Sequence, residues 1–250
     1  MEIVEQVLNA GVEEVGIIIQ EADRVMFEDF FHQRLPVQHA NKLSIEDQRY
    51  ARHIMDIGNK VTLLSQESQD GCGDAVYRAK EWVGNEPFIL SLGDHLFSSD
   101  TETPCINQLI ELYEKTGRSV VGLQETAEDK LKNFGCVTGV WEEQGNKLSI
   151  TEFAEKPSID YAREHLETRD VKDGHFLTIF GQYILTPRVF DLLEENISRN
   201  MRENGEFQLT SCLDRLRQEE GFVGLRIKGR RFDIGLPEDY RQTVIDYQRS

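Results

Sequence analysis

Val15-Gly-Ile-Ile-Ile19 is a short β-branched run, apolar on both faces, which is the pattern of a strand buried inside a parallel sheet. Ahead of it Ile3, Val4, Val7 and Leu8 recur at helical spacing and Gly11 stands where a terminating glycine belongs, so 2–10 is expected to be a helix. Further strands are expected at 61–65, 87–92, 119–123, 134–140, 148–153, 177–185 and 222–227. Helices are expected at 22–33, 44–58, 73–82, 104–116, 158–168, 187–197, 207–219 and 238–248, between most of the strands. Strands alternating with helices need crossover connections. The expectation is therefore a single α/β unit over 1–250 with a Rossmann-like, doubly wound, mostly parallel sheet. In such sheets ligands sit beyond the carboxyl ends of the strands. The polar stretch 34–60 is long for a strand-to-strand connection and reads as a helical insertion, a flap or a contact surface.

Composition narrows the function. The chain of 250 residues carries 28 Lys plus Arg against 45 Asp plus Glu, a net charge of −17. Nucleic-acid binding would need clustered cations to displace counterions from phosphate, so no nucleic-acid partner is expected. Any anionic substrate must meet a local positive patch. Cys72, Cys105, Cys136 and Cys212 form no CxxC pair, which gives neither a zinc ribbon nor a redox dithiol. No apolar run approaches a membrane span, and the acidic start is unlike a signal peptide, so a cytoplasmic or other reducing compartment is expected, with no membrane partner. GxGxxG, GxxxxGK[ST], GxSxG and HExxH are all missing.

Four constellations carry chemistry. Leu90-Ser-Leu-Gly-Asp94-His95 ends an apolar strand with a carboxylate that either holds Mg²⁺ bridging substrate phosphates or caps a turn. In Lys228-Gly-Arg-Arg231-Phe-Asp233, three cations flank Asp233; the carboxylate could complete the same metal site, with Lys228 and Arg231 holding anionic oxygens, or the run is a solvated turn. In Glu155-Lys156-Pro157, Pro157 is expected to extend Lys156; Glu155 could accept from sugar hydroxyls and Lys156 could charge-pair a phosphate, or the three form a helix-entry turn. Gln66 precedes Asp70-Gly71-Cys72-Gly73-Asp74, where a glycine lets a flat base or phosphate approach the backbone, and the Gln amide offers donor and acceptor together.

Taken in order, QxxxxGxG (Gln66–Gly73), LGDH (Leu92–His95), FGCV (Phe134–Val137), EKP (Glu155–Pro157), FGQYILTP (Phe180–Pro187), GEFQLT (Gly205–Thr210) and FDIGLPEDY (Phe232–Tyr240) resemble the sugar-1-phosphate nucleotidyltransferases. The resemblance covers nearly the whole chain and is strongest to the bacterial-type UTP–glucose-1-phosphate uridylyltransferase branch, which the 34–60 insertion also suggests. It implies the nucleotide-diphospho-sugar transferase fold and a reaction of UTP with glucose 1-phosphate, using Mg²⁺, to give UDP-glucose and pyrophosphate. It implies that Gln66 and Gly71 meet the pyrimidine, that Asp94 and Asp233 hold the metal, that Gly135, Glu155 and Gly181 contact the sugar, and that Lys156 meets the sugar phosphate. Asp94, Lys156 and Asp233 are thereby the implied catalytic residues. Asp74 stands where such chains often have His or a polar amide, and the resemblance implies no role for it.

The family's opening strand and GxGTRxxPxT loop have no counterpart here, since Met1-Glu-Ile-Val-Glu-Gln reads as the helix that follows them. The sheet is therefore expected without that strand. Two alternatives accompany the uridylyltransferase reading: a subunit that binds a sugar nucleotide or regulates without making one, and a thymidylyltransferase. A homo-oligomer using 34–60 or the C-terminal helix is compatible with each.

Overall fold

The computed structural model describes residues 1–32, 42–142 and 145–247. The chain opens with α1 (Glu2–Asn9), enters β1 (Val15–Gln20) and passes through α2 (Arg24–His32) and α3 (Ile45–Gly58) to β2 (Val61–Gln66). Ser44 caps α3, its Oγ accepting from Asp47 N at 3.0 Å. The first part of the expected 34–60 insertion lies outside the described residues; its helix is α3. β1 and β2 run parallel in a separate two-stranded sheet, Val15 opposite Val61 through Gln20 opposite Gln66.

The main sheet has six strands in the order β3-β8-β5-β9-β7-β6, from β3 (Phe88–Ser91), β8 (His175–Leu185), β5 (Val120–Ala127), β9 (Val223–Arg226), β7 (Lys147–Glu155) and β6 (Gly135–Trp141). Alternate residues feed opposite faces. On one face Leu177, Ile179, Tyr183 and Leu185 of β8 join Leu192 and Leu193 of α8 (Arg188–Ser198) and Cys212, Leu213 and Leu216 of α9 (Thr210–Glu220). On the other, Phe180 and Ile184 meet Ile106, Leu109 and Leu112 of α6 (Cys105–Thr116). Helices thus cover both faces, as an α/β doubly wound sheet requires.

Strand direction departs from the expectation of a mostly parallel sheet. Among the described pairings only β1–β2 and β5–β9 are parallel; β3–β8, β5–β8, β6–β7, β6–β8 and β7–β9 are antiparallel. The physical reason is burial: β8 is almost wholly buried on both faces, so its continuous apolar run matches that of a parallel strand whichever way it points. A third pair was not anticipated. β4 (His95–Ser99) and β10 (Gly229–Asp233) form an antiparallel ribbon with His95 opposite Asp233; both are five residues long and rich in polar side chains, which hides them from a hydrophobicity reading. The expected helix at 73–82 divides into α4 (Cys72–Tyr77) and α5 (Lys80–Val83). Among the described residues β1, β2, β3, β4 and β10 each pair along one edge only.

Candidate functional site

Gln66, Glu155 and Asp233 are the last residues of β2, β7 and β10, Asp94 follows β3 by three positions, and Gly135 opens β6 directly opposite Glu155. Three local devices aim these groups. The register of β5 against β8 slips between Val121 and Leu123, and within that bulge Gly181 takes φ +98 while its carbonyl accepts from Leu92 N at 2.9 Å. A Cβ at Gly181 would come within 3.4 Å of His95 Nδ1. At the end of β7, Lys156 adopts φ +43 rather than the extended conformation expected before Pro157, because the chain must turn there into α7 (Ile159–His165), whose cap is Ser158. Gly71, with φ +106, is the N-cap of α4. A Cβ there would lie 2.7 Å from Phe207 O, so only glycine lets the two backbones meet.

The aspartates converge around His95. Its Nδ1 lies 2.7 Å from Asp94 Oδ1 and its Nε2 4.0 Å from Asp233 Oδ2. His95 is buried, and neither ring nitrogen has an aligned hydrogen bond. The ring beside it holds the Asp94 carboxyl below the ordinary carboxylate range. Asp233 Oδ1 accepts from Gly235 N at 2.8 Å, and Ile234 N donates to Asp94 O at 2.8 Å, so one tight turn ties the two segments together. A Cβ built on Gly235 would stand 3.3 Å from Asp233 Oδ1 and 3.4 Å from Asp94 Oδ2, a single point close to both carboxylates.

The second centre is Glu155. Its Oε2 accepts from Thr210 Oγ1 at 2.6 Å, its Oε1 lies 3.8 Å from Lys156 Nζ, and a Cβ at Gly135 would meet Oε2 at 3.2 Å. Tyr183 is buried in β8, and burial, then the neighbouring Cys72 thiol and the charges of Glu155 and Asp94, push its phenol well above the ordinary range. Gln66 and Gly71 form a third group, Gln66 Nε2 donating to Gly71 O at 3.2 Å and to Asp74 Oδ2 at 2.8 Å. Among the described residues no hydrogen bond or ion pair joins Gln66 to either carboxylate centre. The next loop residue, Cys72, is close enough to feel the charges of Glu155, Asp94 and Lys156.

The cations flanking Asp233 do not line up as anticipated. Arg231 stacks on Phe134 at 3.7 Å and donates to Ile179 O, and burial lowers its pKa to about 10. Arg230 pairs with Asp100 at 3.6 Å. Arg231 and Arg230 are thus engaged in packing and in pairing with neighbouring groups, while Lys228 is exposed. Thr210, His95 and Tyr183 are not among the expected site residues, although all three lie within quoted motifs. Their signal is tertiary: each becomes notable only when its neighbours from another strand are known.

The nucleotidyl transferase model matches residues 1–250. The chain belongs to the nucleotidyl transferase family. Among curated relatives, the UTP–glucose-1-phosphate uridylyltransferase of Staphylococcus epidermidis is 32% identical over 246 residues, spanning 98% of this chain and 79% of that one. The UTP–glucose-1-phosphate uridylyltransferase 2 of Staphylococcus saprophyticus is 32% identical over 249 residues with the same coverage. Among solved structures, apo UDP-glucose pyrophosphorylase superposes with a TM-score of 0.81 at 27% identity, covering 98% of this chain and 85% of that one. Its complex with UDP-glucose gives 0.80 at 27% identity, with 98% and 84% covered. This nucleotidyl transferase is therefore uridylyltransferase-like in sequence and in fold. No described helix is long and apolar enough to cross a membrane.

Proposed function

We propose that this chain transfers the uridylyl group of UTP to glucose 1-phosphate. A phosphate oxygen of the sugar phosphate attacks the α-phosphorus of UTP; that O–P bond forms, the bond to the β-phosphate oxygen breaks, and pyrophosphate leaves. Little covalent help is required, and the demand on the protein is to hold two anions in line and neutralise them.

The observation that carries this reading is the convergence on a common point of Asp94, just before β4, and Asp233, at the end of the paired strand β10. Paired hard-oxygen donors suit Mg²⁺, which commonly takes one or two carboxylates and fills its remaining positions with water and phosphate oxygens. Bound there, the ion would supply charge neutralisation on the triphosphate. Lys156, with its ammonium largely in solvent beside Glu155, would meet the phosphate of the sugar phosphate. Glu155, fixed by Thr210, would accept from sugar hydroxyls, with Gly135 and Gly181 leaving room for the ring. Gln66 and Gly71 would receive the pyrimidine.

Pyrophosphate release from UTP, glucose 1-phosphate and MgCl₂ tests the reading, and turnover is the expected result. Binding of UDP-glucose with no turnover would replace it by a sugar-nucleotide-binding subunit. A preference for dTTP over UTP would replace it by thymidylyl transfer.

A further inference from the structure

Asp74 is a buried carboxylate, 1% exposed, and a charge so placed has to be paired. Arg78, one turn on from it, supplies the counter-charge, its guanidinium NH2 nitrogen lying 2.5 Å from Oδ1. The other oxygen, Oδ2, accepts from Gln66 Nε2 at 2.8 Å. A carboxylate can only accept, and so can the carbonyl of Gly71, which takes the second bond from the same nitrogen at 3.2 Å. Both hydrogens of the Gln66 amide are therefore committed, and the amide cannot flip without setting its oxygen against two acceptors. Its Oε1 accepts from none of the described residues and is not sealed from solvent.

We infer that Asp74 is a positioning residue that locks Gln66 as a pure hydrogen-bond acceptor, and so selects a pyrimidine bearing an N3–H. Uracil and thymine both donate from N3. Cytosine presents a bare lone pair there, which would face Oε1 acceptor to acceptor. The surroundings keep the lock rigid. Gly73 N donates to Phe207 O and Phe207 N to Asp70 O, each at 2.8 Å, while Arg202 pairs with Asp70 at 3.1 Å and stacks on Phe207 at 4.1 Å. This inference rests on the assignment of Gln66 to the base.

Equilibrium binding of UDP-glucose, dTDP-glucose, CDP-glucose and N3-methyl-UDP-glucose to the full chain tests it, alongside Asp74→Asn, Gln66→Ala and the double variant. In the wild type, CDP-glucose and N3-methyl-UDP-glucose are expected to bind on the order of 10–100-fold more weakly than UDP-glucose, the cost of an acceptor left facing an acceptor or a methyl group. In Asp74→Asn the side-chain amide can donate to Gln66 Oε1, the carboxamide can turn, and the UDP-to-CDP preference should fall by about 10-fold. Adding Asp74→Asn to Gln66→Ala should leave the preference where Gln66→Ala put it. A merely structural Asp74 would lower melting temperature without moving that ratio, and an unchanged ratio in a folded Asp74→Asn overturns the inference. Should that variant fail to fold, N3-methyl-UDP-glucose binding the wild type as well as UDP-glucose does so instead. No binding of any of the four by the wild type would overturn the assignment of the base site itself, and this inference with it.

Discussion

Asp94 and Asp233 are separated by 138 intervening positions, yet one histidine lies within 4.0 Å of both, so their roles are best probed one side chain at a time. Asp94→Asn and Asp233→Asn keep shape and remove charge. Each is expected to lower turnover by about 10²–10³ while the melting curve stays within a few degrees of wild type, as for other preorganised electrostatic contacts; pyrophosphate release and circular dichroism check the two halves. Thr210→Val removes the 2.6 Å bond to Glu155 and is expected to raise KM for glucose 1-phosphate with a smaller change in KM for UTP. At this scale the reading from sequence reached far. Gln66, Glu155 and Asp233 close strands, Gly135 opens one and Gly181 sits in a bulge, because a polar residue or glycine bounding an apolar run is visible in the run itself. What it could not reach was conformation set by the turn that follows, as with Lys156, and direction of pointing, as with Arg231, whose stacking partner Phe134 is 97 positions away.

At the scale of elements, the loop from Gln66 to Asp74 and the segment from Arg202 to Gln208 form one unit. Arg202 and then Ser68 hold the Asp70 carboxyl below the ordinary range, so this clasp is complete above a pH of about 4 and is lost as pH falls through the lowered value. Because the pair is exposed, salt should weaken it as well. Amide hydrogen exchange at Gly73 and Phe207 should accelerate in Arg202→Ala, and unchanged protection would show that the glycine contacts alone suffice. The α8–α9 face is the sturdier element: Leu192 and Leu213 are fully buried, and truncating either to Ala is expected to cost about 2–5 kcal/mol in denaturant unfolding. Helix positions were legible to within a few residues, since amphipathic spacing survives whatever the helix packs against. The ribbon of β4 and β10 was not, since His95-Leu-Phe-Ser-Ser99 and Gly229-Arg-Arg-Phe-Asp233 owe their pairing to each other and not to any pattern of their own.

For the whole molecule, the layered order of helix, sheet and helix follows from alternation of apolar runs with amphipathic ones, and that much could be read directly. Strand direction could not, because a strand buried on both sides looks alike from either end. Burial also predicts chemistry across the molecule. Cys105, Cys136 and Cys212 are buried, and burial pushes each thiol up to about 12, whereas Cys72 keeps exposed surface even though its surroundings push its thiol up to about 11. An aromatic disulfide reagent at pH 8 is therefore expected to leave those three untouched in the native protein and to reach them only after denaturation; rapid labelling of any of them would mean that the sheet faces open on that timescale.

The contact of Gly71 and Gly73 with Phe207 has a bearing on protein engineering. Two peptides from distant parts of the gene share one seam with no side chain between them, so neither can be exchanged for that of a homologue alone. A chimera meant to accept a new nucleobase would have to import both halves of the seam together, and a library that randomises one half should return mostly inactive clones.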